Sequence, residues 1–201
     1  MSGIVGSSHN IRGSGVVAKL GSDGQVFTSA GAGVSQGFEA APGGGKILQM
    51  VQTLVTTTSS YNSTSFALLS GYQVAITPTK ASSKIQVVVS LGLAGRDARC
   101  GWKVARDVEG GGYSYLANIG TGSMGQRIAI WGSTTYSAEP SGATTTVFID
   151  SPSYTLTDVL TYQFHPANSG GEMYFNRDTS DDDQAYRHRA ASTMQVWELS
   201  A

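Results

Sequence analysis

Two segments of the sequence have the glycine spacing of enzyme motifs. Residues 33–37 (G-V-S-Q-G) match G-x-S-x-G, which places a serine nucleophile on a tight strand-to-helix turn. Residues 120–125 (G-T-G-S-M-G) match G-x-G-x-x-G, which binds phosphate at a helix N-terminus. Neither match is followed by a helical pattern, because the stretch after Gly125 alternates like a strand and residues 33–37 lie in a glycine-rich segment. We therefore interpret both as chance matches, the second one in a hairpin loop.

Carboxylates and histidines show no diagnostic spacing for metal binding or catalysis. The acidic segment 178–183 contains four aspartates but lacks the glycine and glutamate of an EF-hand loop. We expect a solvated loop there, and a calcium site is the alternative. The histidines, His9, His165 and His188, lie far apart, and His165 is expected on the rim at a strand end because Pro166 follows it. The sequence predicts no catalytic residue, no metal and no cofactor.

Four aromatic residues in the middle of the chain are candidate binding residues. Tyr113, Tyr115, Trp131 and Tyr136 lie in or beside connections rich in Gly and Ser. Exposed aromatic rings on rigid β-loops are good platforms for sugar rings or protein partners, so these residues predict a receptor-contact loop. The alternative is that Tyr115 and Trp131 are core side chains.

The composition excludes several classes of protein. Gly, Ser and Thr contribute 26, 26 and 19 of the 201 residues, and all three are poor helix formers. A net charge of −1, with 13% charged residues, gives no basic surface for nucleic acid or an anionic membrane. The single cysteine, Cys100, can form neither an intrachain disulfide nor a thiolate zinc site, which favours assembly in the cytoplasm. No signal peptide and no long apolar run is visible, so we expect no membrane insertion.

A change in composition near Lys46 divides the chain in two. Twelve of the 26 glycines lie in residues 1–45, which end in P-G-G-G and show no sustained apolar periodicity. Such a segment cannot bury enough apolar surface to fold alone. We predict that residues 1–45 form an extended arm that becomes ordered against a partner or against copies of itself.

From residue 47 onward the apolar pattern has the period of β-strands. In Lys84–Leu93 the odd positions are apolar and fall on one face. Further strands are predicted at 47–57, 64–69, 72–78, 99–108, 113–119, 126–132, 144–150, 157–165, 171–177 and 193–199, with turn signals between them. Many short strands at this spacing predict an all-β, jelly-roll-like β-sandwich over residues 46–201. For residues 180–191 we expect a polar loop, with a short helix as the alternative.

Residues 19–33 resemble a unit found in tail-fibre and appendage proteins of bacteriophages. Their sequence, K-L-G-S-D-G-Q-V-F-T-S-A-G-A-G, is similar to L-G-x-D-G-Q-V-L-x-S-x-G-A-G, with Phe27 at the usual leucine position. Residues 36–39 (Q-G-F-E) are similar to the closing x-x-[FW]-E of the unit. In those proteins the unit leads from the fibre shaft or attachment region into the next domain.

Two further segments resemble a β-rich domain in virion proteins of marine phages, including those of cyanobacteria. Residues 46–52 (K-I-L-Q-M-V-Q) are similar to G-K-[IV]-L-Q-V-V-Q, which opens that domain. Residues 74–87 (V-A-I-T-P-T-K-A-S-S-K-I-Q-V) are similar to I-T-P-x-x-x-x-S-K-I-x-V, which marks a turn between two strands. No further motif is recognised between residue 87 and the C-terminus.

These resemblances imply a non-enzymatic structural protein of a bacteriophage virion. We expect a homotrimeric short tail fibre or appendage, assembled in the host cytoplasm, whose arm binds other virion proteins (capsid, portal or tail). The β-sandwich of residues 46–201, which we call the head, would point outward to a host surface glycan. Parallel copies of the arm around a threefold axis could bury Val26 and Phe27 against each other. The residues expected to attach the arm to the virion are Ile4, Val5, Arg12, Val16, Val17 and Lys19.

Three other functions are open alternatives. A capsid decoration (cement) protein would clamp lattice joints with the arm and stabilise the shell with the sandwich. An enzyme that degrades surface polysaccharide would need a deep cleft with two carboxylates at glycosidase separation. A free sugar-binding module would leave the arm without a role.

Overall fold

The described part of the chain is built from antiparallel β-strands. The computed structural model describes residues 25–28, 37–40, 46–96, 99–116, 132–135, 141–185, 187 and 189–200. The all-β prediction is confirmed, since every regular element in these ranges is a strand. No helix among these residues is long and apolar enough to cross a membrane. The chain divides into two compact units, Met1–Gly44 and Gly45–Ala201.

The first unit contains a two-stranded hairpin. Strand β1 (Gln25–Thr28) pairs with β2 (Gly37–Ala40), so that Phe27 lies opposite Phe38. The two strands are the Q-V-F-T and G-F-E-A segments of the fibre-like unit, where we expected only extended chain. The hairpin also places a strand after the G-x-S-x-G match, where a serine nucleophile would need a helix.

The second unit is a sandwich of two sheets. Its strands are β3 (Ile47–Val55), β4 (Ser59–Tyr61), β5 (Gln73–Ile76), β6 (Lys84–Arg96), β7 (Arg99–Val108), β8 (Tyr113–Tyr115), β9 (Gly132–Thr135), β10 (Ser141–Asp150), β11 (Leu160–Ser169), β12 (Glu172–Phe175) and β13 (Ser192–Leu199). The first sheet has the order β3-β13-β6-β12-β4, with β10 also paired to β6. The second sheet has the order β5-β11-β7-β8, with β9 also paired to β7.

Three rows of the sandwich are each divided between two strands. In the first sheet, β13 and β12 lie end to end along one side of β6. On their far side, β3 pairs with β13 and β4 pairs with β12. In the second sheet, β9 and β8 lie end to end along one side of β7. When each of these couples is counted as one row, the rows in chain order form the sheets 1-8-3-6 and 2-7-4-5. This is the strand order of a jelly roll, so the jelly-roll-like prediction is confirmed.

The core lies between the inward faces of the two sheets. The odd positions of β6 from Ile85 to Leu93 are buried, as the period-two pattern predicts. From the second sheet, Phe164 packs against Trp102 with ring centroids 6.2 Å apart and against Tyr72 at 5.8 Å. Alternation along each strand thus assigns one face to the core and leaves an outer face on each sheet.

Two local predictions are wrong for identifiable reasons. Residues 64–69 form no strand, because they carry the chain from the first sheet to the second; Leu69 packs into the core there, while Leu68 stays 39% exposed. The strand predicted to end at residue 165 continues to Ser169. Pro166 has no N–H to donate, but β5 pairs only with residues 160–163, so no β5 ladder bond is lost at the proline. On that side the N–H groups of Phe164 and Asn168 donate to the carbonyls of Tyr72 and Ser63.

The segments similar to the marine-phage domain meet at a buried carboxylate. Glu198 of β13 is fully buried. It accepts hydrogen bonds from Gln49 Nε2 at 2.8 Å, the Thr79 N–H at 2.9 Å, the Lys80 N–H at 3.1 Å and the Ser83 hydroxyl at 2.7 Å. Burial would raise the pKa of Glu198, but these hydrogen bonds outweigh burial and hold the pKa below its usual value. We call these five residues the Glu198 clamp, which fixes the crossing from β5 to β6.

Candidate functional site

Aromatic side chains cluster on the outer face of the second sheet. Tyr113 and Tyr115 are two residues apart on β8, so both rings stand on the same side of the sheet. A tight turn precedes them, in which Gly110 and Gly112 have φ values of +71° and +97° that glycine adopts without strain. The turn returns the chain antiparallel to β7 and thereby places both tyrosines on that strand's outer face.

Three residues from other parts of the fold complete the cluster. We call Phe66, Lys103, Tyr113, Tyr115 and His165 the aromatic platform. Edge-to-face ring pairs join its members, with centroid distances of 4.7 Å for Tyr113–His165, 5.5 Å for Tyr113–Tyr115 and 6.2 Å for Phe66–Tyr115. The Lys103 Nζ atom lies 4.4 Å from the Phe66 centroid and 4.7 Å from that of Tyr115. These geometries are favourable for aromatic and cation–π contacts, so the rings support one another.

His165 lies at the base of the platform. It is 1% exposed although it stands on an outer face, so the expectation that it is a rim residue at a strand end is wrong. Its Nδ1 atom is 3.3 Å from the Tyr115 hydroxyl, and its Nε2 atom is 3.1 Å from Gln163 Oε1. Because an amide oxygen only accepts, the neutral ring donates from Nε2 and accepts at Nδ1. Burial lowers the pKa of His165 and keeps this neutral form at pH 7.

The platform combines neutral rings with a single ammonium group. Burial, followed by the hydrogen bond with Tyr113, raises the pKa of Tyr115 to about 12, so its phenol stays protonated at neutral pH. Tyr113 is 52% exposed and presents its ring to solvent. An exposed ring in a cluster that also holds an ammonium group can stack on a sugar ring and bind its polar substituents.

Acid should destabilise the second unit through His165. Since its pKa lies below the ordinary value of 6.5 in the folded protein, the unfolded chain takes up the proton first as the pH falls. The free energy of unfolding should therefore decrease from about pH 6.5 downward, until the pH reaches the lowered pKa. Urea unfolding at pH 7.5 and 5.5, compared between the wild type and His165→Gln, measures this contribution. An equal pH dependence in both proteins would show that His165 does not titrate as the geometry indicates.

The structure brings together only some of the residues singled out in the sequence. Tyr113 and Tyr115 are adjacent, and neither is a core side chain, while Val26 and Phe27 lie in β1. Trp131 and Tyr136 of the expected receptor-contact loop lie outside the described residues. So do the attachment residues Ile4, Val5, Arg12, Val16, Val17 and Lys19, the segment 120–125, and His9 and His188.

Sequence reasoning missed Phe66 and Lys103. The period of β7 places Lys103 on the face opposite to Trp102 and Val104. That signal was present, but it could not show that β8 folds back over the same face. Phe66 lies in the crossing segment, and nothing in its neighbourhood in the sequence predicts a contact with Lys103.

Arginines neutralise carboxylates in the acidic segment. No described residue of 180–191 lies in a helix, which agrees with the expected polar loop. Asp181 pairs with Arg189 at 2.6 Å, and Asp182 pairs with Arg187 at 3.1 Å. Across the described ranges, no group of three or more metal-ligating side chains could hold an ion.

The cavities on the surface of the described part of the second unit include three of similar size. One of about 330 Å³ is lined by residues such as Ser90, Gly92 and Arg177, and one of about 360 Å³ by residues such as Ser83 and Tyr154; neither has a carboxylate in its lining. The third, of about 310 Å³, is lined by the acidic loop and the arginines that pair with it. None of these three cavities lies at the platform, which is an open surface of the sheet.

Two comparisons with known proteins found no match. No protein-family model matches the chain, and no curated protein matches it. The function is therefore inferred from the geometry of the two units and from the resemblances in residues 19–87.

Proposed function

We propose that the chain is a non-enzymatic structural protein of a bacteriophage virion, a trimeric short fibre or appendage. Residues 1–45 attach it to a capsid, portal or tail protein, and the jelly roll points outward. The aromatic platform contacts a glycan on the host surface.

One observation carries the proposal: each segment that resembles phage proteins forms a defined structural element in its own unit. The fibre-like unit forms both strands of the β1–β2 hairpin. The marine-phage-like segments lie in β3, in β5 and at the start of β6, and they supply Gln49, Thr79 and Ser83 to the Glu198 clamp. The residues that carry the resemblance therefore form strands or hydrogen bonds that the fold depends on, which chance matches need not do. Jelly rolls are also a common architecture of viral capsid and lectin domains.

The location of the protein on virus particles tests this proposal. An antibody against the second unit should label purified particles at the tail or at sparse spikes, and sedimentation of the purified full chain should give three times the monomer mass. Labelling spread evenly over every facet would instead favour a capsid decoration protein. A virion fibre would be refuted if the chain stayed monomeric at tens of micromolar and the antibody labelled no particle.

Tyr113→Ala should weaken binding of the purified full chain to host cells by at least about fivefold. An exposed aromatic anchor at the centre of a binding site contributes about 1–2 kcal/mol, and a trimer multiplies the effect. Tyr113→Phe is the matched control, since it keeps the stacking ring and should bind like the wild type. Flow cytometry with the labelled protein measures the three affinities. Equal binding by Tyr113→Ala and the wild type would remove the platform from host recognition.

A further inference from the structure

The outer face of the first sheet is rich in exposed apolar side chains. Strand register aligns Met50, Trp197 and Ile149 in one line across the sheet, with Gln86 between the last two. Val88 and Val147 lie in the next line, and Leu54 lies beyond them on β3. On the two edge strands, Met50, Leu54, Val147 and Ile149 are each 48–56% exposed. We call these six apolar residues the apolar sheet face.

Charge is confined to the margins of this face. Among the described residues that flank these lines on β3, β13, β6 and β10, the one charged side chain on this face is that of Lys84, at the end of β6 opposite Leu199. At the opposite end, the loop that contains Arg177 and Ala190 covers Gly92, whose position has no space for a Cβ atom. Nothing between these margins would demand an ionic partner.

Several polar side chains of the face bind one another. Trp197 Nε1 donates to Gln195 Oε1 at 3.3 Å, and Gln195 Nε2 donates to Gln52 Oε1 at 3.1 Å. Thr145 Oγ1 donates to Ser90 Oγ at 3.0 Å. Burial of a polar group is costly mainly when it leaves donors or acceptors without partners. These internal bonds lower the cost of removing water from this part of the face.

The size of the face fits a contact between copies that are already tethered. The face spans four strands about 4.8 Å apart, and each contributes about eight residues with a rise of about 3.3 Å per residue. These dimensions give a flat footprint of roughly 500 Å² per head. An equal area on a neighbouring copy brings the total to roughly 1,000 Å², near the minimum for a specific interface. Such a contact is weak between free heads, but it becomes effective when another part of the chain holds the heads at high local concentration.

We propose that the apolar sheet face is the surface through which the head of one copy packs against the head of a second copy. The inference rests on the proposed function, because the trimer supplies the high local concentration. In a closed ring of three, each head gives this face to one neighbour and receives the other neighbour on a different surface. The aromatic platform is on the opposite sheet, so the apolar sheet face does not include it.

Labelling of engineered cysteines in the full chain tests this assignment. Val147→Cys places a thiol on the apolar sheet face, and Ala75→Cys places one at an exposed position of β5 on the outer face of the other sheet. Both changes are small, and the native Cys100 is buried, so the wild type gives the background rate. At a concentration where sedimentation shows the oligomer, the thiol at 147 should react with a maleimide at least about tenfold more slowly than the thiol at 75. The two rates should converge on dilution to monomer.

Each other outcome overturns the proposal in a distinguishable way. Equal rates in the oligomer would show that the heads do not meet through this face, and the trimeric fibre would still stand on another contact. Slow labelling at residue 147 in the monomer would mean that the chain covers its own face. Slow labelling that appears only on virus particles would assign the face to a different virion protein. A chain that is monomeric at tens of micromolar would refute the interface and the trimer together.

Discussion

Glu198→Ala should lower the free energy of unfolding of the second unit by about 3–5 kcal/mol, enough to reduce its melting temperature by roughly 10 °C. The carboxylate is the common acceptor of the Glu198 clamp, and its removal leaves several donors facing a cavity. Gln49 and Ser83 can rotate toward other partners. The N–H groups of Thr79 and Lys80 cannot, because the backbone of the β5–β6 crossing fixes them, and each unpaired buried donor costs about 1–3 kcal/mol.

Thermal melts of three variants separate the carboxylate from its surroundings. Glu198→Gln keeps the volume and one acceptor oxygen, so its melting temperature should lie between those of the wild type and the alanine variant. Glu172→Ala removes a half-buried glutamate that accepts one bond, from the Tyr174 hydroxyl, and should cost less than about 1 kcal/mol. If Glu198→Ala melted within 2 °C of Glu172→Ala, the clamp would have no special role in stability.

The pH dependence of Glu198 has a definite sign. Its pKa in the folded protein lies below the ordinary value of 4.5, so the clamp is fully effective above that value. As the pH falls below about 4.5, the unfolded chain takes up a proton that the folded chain refuses, and stability is lost until the lowered pKa is passed. The Glu198→Gln variant should lack this component, so the gap between its stability and that of the wild type should narrow in acid.

The clamp also shows where prediction from sequence reaches its limit. Alternation along β13 puts Trp197 and Leu199 on one face and Val196 and Glu198 on the other. Apolar content favours neither face as the inner one, since one holds a tryptophan and the other a charge. The structure buries the face with the carboxylate, because residues more than a hundred positions earlier supply its hydrogen bonds.

Features set by local pattern were predictable, and features set by strand pairing were not. The strand Lys84–Leu93 follows from alternation alone, because a half-buried strand must repeat every two residues. Tyr113 and Tyr115 were recognised as candidates from their type and setting. Their contact with His165, some fifty residues later, depends on how β8, β7 and β11 align, and single-sequence patterns carry no such information.

Asn176→Ala should destabilise the second unit by about 3–4 kcal/mol and free the loop that follows it. Asn176 is fully buried and directly follows β12, where the chain leaves the first sheet before it returns as β13 at Ser192. Its Nδ2 atom donates to the carbonyls of Val55 at 2.7 Å and Thr57 at 3.0 Å, and its Oδ1 atom accepts from the Ser192 hydroxyl at 2.5 Å. One side chain therefore joins β3 to both ends of the loop, and alanine makes none of these bonds.

The backbone of Asn176 adds a second, separable cost. Its φ of +61° is left-handed, a conformation that asparagine tolerates better than alanine. Asn176→Gly removes the side chain but keeps the backbone freedom, so it should be about 1 kcal/mol more stable than Asn176→Ala. Asn176→Asp keeps the shape but turns an oxygen toward two carbonyls, and we expect it to be the least stable of the three. Urea unfolding of all four proteins gives this order.

Hydrogen exchange locates the effect in the loop. The N–H of Gly92 donates to the Ser192 hydroxyl, and the N–H of Ala190 donates to the Asn176 carbonyl. Loss of the Asn176 side chain should speed exchange at both amides more than at the centre of β7, because Ser192 then lacks its own acceptor and the loop base opens locally. Uniform acceleration over the whole sandwich would contradict this account, since it would mean that Asn176 acts on global stability alone and does not hold the loop against the first sheet.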